Sequence, residues 1–295
     1  MEKEFLKIIR DNYDFDSINN IKRIKSDYPH ILELSTNNGN YIIKIISKLY
    51  SQSIDILYNY LSELDNVLIP KKTINNQYGI NIDDKKIVIY KKILELQEDL
   101  SLKWWANNLE KIHNLNIDKK YFQNYELILY DETVKLFSLA YPYLNDMIKE
   151  YLLKIINKYD YKDIDSELVL CHSDPNNSNV MIDNLKYKFI DTDGVRLLPK
   201  EFDIQRLFQN EVISEKSIDE ILKNWHIFSI NYSNKINIEL LKKLYVYDLI
   251  RVYSWLTLVS RDSNRVDRER QNKQLILYQD SILEDKHEKI LKKIL

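Results

Sequence analysis

The sequence predicts an α+β chain in which a small antiparallel sheet comes first and a larger, mostly helical part follows. Three observations carry this. A turn run, Asn37-Asn38-Gly39-Asn40, separates loosely alternating residues 21–34 from a β-branched stretch at 41–46, as in a hairpin. Apolar residues recur at helical intervals through most of 199–295. Between these parts lies 171–193, CHSDPNNSNVMIDNLKYKFIDTD, which reads as a loop followed by a short ribbon.

In chain order, Phe5, Leu6, Ile8 and Ile9 among charges predict a short amphipathic helix, and the hairpin that follows carries one lysine, Lys44. Residues 51–66 have apolar side chains at helical intervals, with Glu63 the best-placed carboxylate. The turn at Asn75-Asn76-Gln77-Tyr78-Gly79 leads into a strand at 86–90, with a hinge expected at 91–94. Residues 100–115 form a predicted helix with Trp105, Leu109 and His113 on its apolar face, and His113 is read as a structural histidine. Two helical patterns in 126–161 break at Pro142, and Leu168-Val169-Leu170 is a short buried strand. Helices are expected over 201–225, 238–260 and 271–295.

Composition excludes several functions. At 295 residues the chain is long enough for two lobes. A net charge of −2, with 43 basic residues set against 45 acidic ones, argues against a general nucleic-acid binder. The arginines at 261, 265, 268 and 270 alternate with acids and read as a solvated helix face. The single Cys171 allows no intramolecular disulfide and fits a reducing cytoplasm, and no apolar run predicts a membrane span or a signal peptide. On an extended segment Cys171 and His172 point to opposite faces, which disfavours a thiol nucleophile; five scattered histidines disfavour zinc.

The ribbon carries the chemistry. Asp183 and Asn184 are turn formers, and a hairpin folded about Leu185 sets Asp191 level with Asn179. With Asp174 just before them, three oxygen-bearing side chains gather at one end, a donor set suited to a hard divalent cation. His172, Asp174 and Asn179 resemble the H-x-D-x-x-x-x-N loop of the aminoglycoside phosphotransferase and choline kinase family, and Ile190-Asp191 resembles the metal-holding aspartate that follows it. Ser173 and Pro175-Asn176-Asn177-Ser178 depart from the glycine and His-Pro-Gly that the family commonly has there.

The resemblance implies a bilobal protein-kinase-like fold, with residues 1–94 as a nucleotide-binding lobe and 95–295 carrying the catalytic loop, metal site and acceptor-binding helices. It implies Asp174 as the base, Asn179 and Asp191 as Mg²⁺ ligands, Lys44 on the nucleotide phosphates and Glu63 as the partner of Lys44. His172 and Asp203 become supporting residues, with Asp203 bracing the catalytic loop. Asp193 either joins the metal or turns with Gly194. The chain's three glycines allow no G-x-G-x-x-G loop, so phosphate covering falls to Lys25-Ser26-Asp27.

The implied activity is transfer of phosphate from ATP or GTP to a hydroxyl of a small-molecule acceptor, an aminoglycoside-type antibiotic first. Glu211, Glu215, Asp219, Glu220, Asp262 and Asp267 are candidates for an acidic acceptor pocket. A metabolic kinase for choline, homoserine or a sugar is the alternative, and a nucleotide-binding module without turnover a third reading.

Overall fold

A computed structural model describes residues 2–24, 31–47, 54–122, 126–158, 167–214, 216–262 and 267–294. Ser26 and its neighbours, Glu215 and Arg265 lie outside the described residues. The elements are α1 (Glu2–Asn12), β1 (Ile18–Arg23), β2 (Ile31–Thr36), β3 (Gly39–Ser47), α2 (Ile54–Leu61), β4 (Ile80–Ile82), β5 (Lys85–Lys91) and β6 (Leu94–Glu95). They continue with α3 (Leu102–His113), α4 (Glu126–Ala140), α5 (Asp146–Lys158), β7 (Leu168–Cys171), β8 (Val180–Asp183), β9 (Lys186–Phe189) and β10 (Arg196–Pro199). Among the described residues the helices that follow are α6 (Glu201–Val212), α7 (Ile218–Asn231), α8 (Ile238–Val259), α9 (Arg268–Leu283) and α10 (Lys286–Lys293).

Two compact units result. The first comprises Met1–Asp99 and Asn177–Gly194, the second Leu100–Asn176 and Val195–Leu295. The division differs from the sequence expectation of a cut at residue 94. β6 pairs with β8, and Val67 bridges to Phe189, so backbone hydrogen bonds tie the ribbon to the first unit.

In the first unit an antiparallel sheet of order β1-β2-β3-β5-β4 forms. β2 and β3 close on Asn37-Asn38, and Gly39 adopts φ +131°, a value side-chain-bearing residues rarely reach. Strand alternation sends Ile43 of β3 and Ile87 and Ile89 of β5 to one face, where Ile9 and Tyr13 of α1 complete a core. Lys44 and its cross-strand partner Val88 therefore face the other way, with Tyr90, against which Tyr58 of α2 packs at 6.3 Å between ring centroids.

α2 ends at Leu61, before the end of the expected 51–66 helix. Ser62 donates its hydroxyl to the Asn59 carbonyl and the chain turns, leaving Glu63 exposed beyond the helix end. The paired acid on α2 is Asp55, which meets the buried ammonium of Lys86 on β5. A Cβ at Gly79 would stand 2.8 Å from Lys86 Cε and 2.7 Å from the Ile87 carbonyl oxygen, so this contact requires glycine.

The second unit is built around α8, buried on most of its circumference because α4, α6 and α9 surround it. The break at Pro142 appears as the short 3₁₀ turn Tyr141–Tyr143 between α4 and α5. Two predicted helices are each divided. The 201–225 helix splits into α6 and α7, where Ser217 and Glu220 form a capping box. The C-terminal helix begins at Arg268 and splits at Asp285, whose φ is +56°. Among the described residues no helix is long and apolar enough to cross a membrane.

The C-terminal helix pair carries a pH liability. His287 of α10 is fully buried, with Nδ1 2.6 Å from the Tyr245 hydroxyl and Nε2 2.8 Å from the Ser281 hydroxyl. Burial, helped by the adjacent Lys286 charge, pushes its pKa down to about 3. Below the unfolded-state value of about 6.5 the unfolded chain takes up a proton that the folded chain refuses, so stability falls with falling pH until about 3. The expected loss is roughly 1.4 kcal/mol per pH unit across that window. Urea titrations at pH 7, 6 and 5 check it: His287→Gln should flatten this dependence, and an unchanged slope contradicts it.

Candidate active site

In the first unit, Lys44 sits mid-strand in β3, paired on one side with Ile31 and on the other with Val88. Its ammonium meets two carboxylates, Asp191 and Asp193, the latter at 2.5 Å. Burial works against the charged lysine, but the two acids outweigh it and raise its pKa. Burial raises the Asp193 pKa, Lys44 offsets part of this, and the charge of Asp191 adds to it.

The two acids converge on Lys44 through a turn that includes Gly194, one of the two sequence alternatives, and not along a shared extended strand. The β8–β9 register pairs Val180 with Phe189 and Asp183 with Lys186, closing on Asn184-Leu185 with φ of +49° and +66°. Positive φ at both central residues makes a two-residue hairpin turn that matches strand twist. The ladder is therefore shifted by one residue from a fold about Leu185, and the Asn179 carbonyl accepts the Ile190 N–H at 2.9 Å. Asp191 then leaves the ladder at φ +58°, and Asp193 follows in a 3₁₀ turn, Thr192–Gly194. No extended strand runs through both acids; a backbone reversal turns them toward one cation.

In the second unit, β7 pairs with β10 and delivers the loop at 172–176. Asp203 of α6 is fully buried beneath it and accepts the backbone N–H groups of His172 and Ser173, each at 2.7 Å. His113 Nε2 donates to the same carboxylate at 3.0 Å, and Tyr232 holds the other ring nitrogen at 2.7 Å. Ser173 is thereby fixed at φ +74°, a conformation that favours glycine. His172 is buried. Cys171 donates weakly to the Leu198 and Pro199 carbonyls, and burial drives its thiol pKa well up, which removes it as a nucleophile. Cys171, His113 and Asp203 lie close together, but their polar atoms are engaged in these hydrogen bonds.

Asp174 is half-exposed, and Arg206 Nε of α6 lies 3.5 Å from its Oδ1. Arg206 is anchored by the fully buried Asp248 of α8 at 3.1 Å and by Gln209 at 3.1 Å. Arg251 supplies two more hydrogen bonds to Asp248, at 2.9 and 2.6 Å. Burial would raise the Asp248 pKa, but Arg251 and Arg206 overcome it and lower it. Sequence reasoning missed Arg206 and Asp248. The spacing Asp203-Ile-Gln-Arg206 puts both charges on one helix face and was the available signal.

The expected residues thus fall into two groups. Lys44, Asp191 and Asp193 are together in the first unit, where Asn179 ends the turn before β8 with its side chain buried. His172, Asp174 and Asp203 are together in the second. Glu63 joins neither; Asp191 and Asp193 occupy the position expected of it beside Lys44. Of the acids expected to line an acceptor pocket, Glu211 is taken up by Lys216 and Asn224, and Glu220 by its cap.

No protein-family model matches the chain, and no curated protein matches it in sequence. Solved structures do match. A spectinomycin phosphotransferase, solved with ADP and spectinomycin, aligns with TM-score 0.71 and 17% identity over 96% of this chain and 98% of its own. An aminoglycoside phosphotransferase of Alicyclobacillus acidocaldarius gives 0.68 and 12% over 98% and 94%. A choline kinase of Streptococcus pneumoniae gives 0.62 and 14% over 96% and 99%. From the antiparallel sheet of its first unit to the helices of its second, this chain has the protein-kinase-like α+β fold of the small-molecule phosphotransferases.

Proposed function

We propose that the protein transfers the γ-phosphoryl group of ATP or GTP to a hydroxyl of a small molecule. One observation carries the reading: within a fold shared with phosphotransferases, a lysine on the third strand meets Asp191, the acid expected at the metal, and Asp193. The acceptor oxygen bonds to the γ-phosphorus, the bond from that phosphorus to the nucleoside diphosphate oxygen breaks, and the hydroxyl proton passes to Asp174. Lys44 holds the nucleotide phosphates. Asn179 and Asp191, with Asp193 beside them, offer hard oxygen donors to Mg²⁺, and the cationic Lys44 between the two acids supports a cation-binding role. Bound Mg²⁺ supplies charge neutralisation on the transferring group. Asp203 keeps the Asp174 loop in place, and Arg206 orients Asp174.

For the acceptor, an aminoglycoside-type antibiotic is the first proposal, supported by the spectinomycin and aminoglycoside phosphotransferases among the structural neighbours and by an amicoumacin kinase at TM-score 0.66. A second reading has its own support. With Glu211 paired to Lys216 and Glu220 held in its helix cap by Ser217, an acceptor of lower positive charge, such as choline, homoserine or a sugar, fits as well. Purified protein incubated with ATP or GTP, Mg²⁺ and an acceptor panel tests both by the mass each acceptor gains. A gain of one phosphoryl group on an antibiotic alone supports the first, on choline, homoserine or a sugar alone the second. Nucleotide binding with no mass gain on any acceptor defeats the transferase reading.

A further inference from the structure

Between the two acids that meet Lys44 stands Thr192, 1% exposed. Its hydroxyl lies 3.2 Å from the Tyr58 hydroxyl of α2, and Tyr58 in turn bonds the Tyr90 hydroxyl of β5. All three side chains are buried, so these hydroxyls find partners in one another rather than in water. The chain they form ends on a segment with an unusual backbone: Asp191, immediately before Thr192, is held at φ +58° without being glycine. Such a conformation persists only where its surroundings over-determine it. The Tyr58 ring is itself fixed, packed 5.6 Å from Tyr78 and 6.3 Å from Tyr90. A carboxylate on α2 does not reach Lys44; what α2 contributes to this loop is a hydroxyl.

We propose that Tyr58 and Thr192 are positioning residues: the buried Tyr90–Tyr58–Thr192 hydroxyl chain fixes the loop at 191–193 in the conformation that turns both carboxylates toward one cation. This rests on the phosphotransferase reading, in which the two carboxylates that meet Lys44 here also take a divalent cation.

The experiment measures binding of Mn²⁺ in the presence of ADP by the electron paramagnetic resonance signal of free Mn²⁺, with no turnover required. Thr192→Val and Tyr58→Phe each remove one hydroxyl at nearly constant shape, and each should weaken Mn²⁺ binding about 10-fold, as loss of a supporting contact to a metal ligand does. The double variant should bind about as well as the weaker single, because both changes remove the same hydrogen bond. Thr192→Ser should restore affinity to within about twofold of the parent. Thr133→Val is the control for stability alone: Thr133 of α4 is equally buried and donates to the Leu129 carbonyl at 2.7 Å, within the second unit. Mn²⁺ affinity unchanged in both Thr192→Val and Tyr58→Phe overturns the inference and leaves the transferase reading standing. An equal loss in Thr133→Val also overturns it, since the effect would then be general destabilisation. A parent protein that binds no Mn²⁺ with ADP overturns the transferase reading and this inference with it.

Discussion

Asp174→Asn should lower phosphoryl transfer by roughly 10²–10⁴-fold, the contribution of a positioned general base, while nucleotide affinity stays within about twofold. The substitution is nearly isosteric and removes only the capacity to accept the acceptor's proton. Its surroundings tolerate the loss of charge. Asp174 is half-exposed, and Arg206 keeps its hydrogen bonds to Asp248 and Gln209 when Asp174 is neutral. The fold should therefore survive, and the effect should fall on kcat rather than on KM for nucleotide. Steady-state rates with an acceptor identified by mass gain, together with calorimetric nucleotide titration, measure the two quantities separately. Near-normal turnover in this variant would move the base to another group.

Asp203→Ala should cost about 3–5 kcal/mol of folding stability and with it most activity. Its carboxylate is the acceptor for the His172 and Ser173 amides and for His113 Nε2, all in a fully buried setting. Alanine leaves three donors facing a cavity, and each unsatisfied donor carries a desolvation cost of about 1–3 kcal/mol. Against a typical total stability of about 5–15 kcal/mol this is a large fraction. Ser173 at φ +74° would also lose the contact that holds it there. Asp203→Asn, which keeps one acceptor oxygen, should fall between parent and alanine. Urea midpoints for the three proteins give the comparison, and a loss under about 1 kcal/mol for alanine would show that the loop does not depend on this clamp.

Both effects depend on residues that the sequence exposes to different degrees. Asp174 and Asp203 are legible because they stand at fixed distances from recognisable neighbours, His172 and Asn179 for the one, the start of a helix after the ribbon for the other. Arg206 is legible only in part: its spacing from Asp203 is local, but its buried partner Asp248 lies 42 residues on. Tyr58 and Thr192 gave no signal at all. One reads as an apolar helix residue, the other as a spacer between acids, and their hydroxyls are 134 residues apart in sequence.

Helix ends divide in the same way. The break at Pro142 follows from a missing N–H and a fixed φ, and the Ser217-Ile-Asp-Glu220 pattern contains a capping box that was readable as a helix start. The end of α2 at Leu61 was not readable from periodicity, because apolar spacing continues to Leu64 while Ser62 diverts the backbone. That early end removed Glu63 from the pairing assigned to it.

Left to itself, the sequence determined that a sheet-forming part precedes a helical one, the hairpin carrying Lys44, the ribbon with its loop, and the spacing of Asp174, Asn179 and Asp191. These are set by turn chemistry and by period-2 or period-3.6 patterning, which act over a few residues. Tertiary structure alone decided the one-residue register of the ribbon, the reversal at Asp191, and the choice of Asp191 and Asp193 over Glu63 as partners of Lys44. Lys44 and Asp191 are 147 residues apart, and a half-buried cation takes whichever carboxylates the folded backbone presents to it.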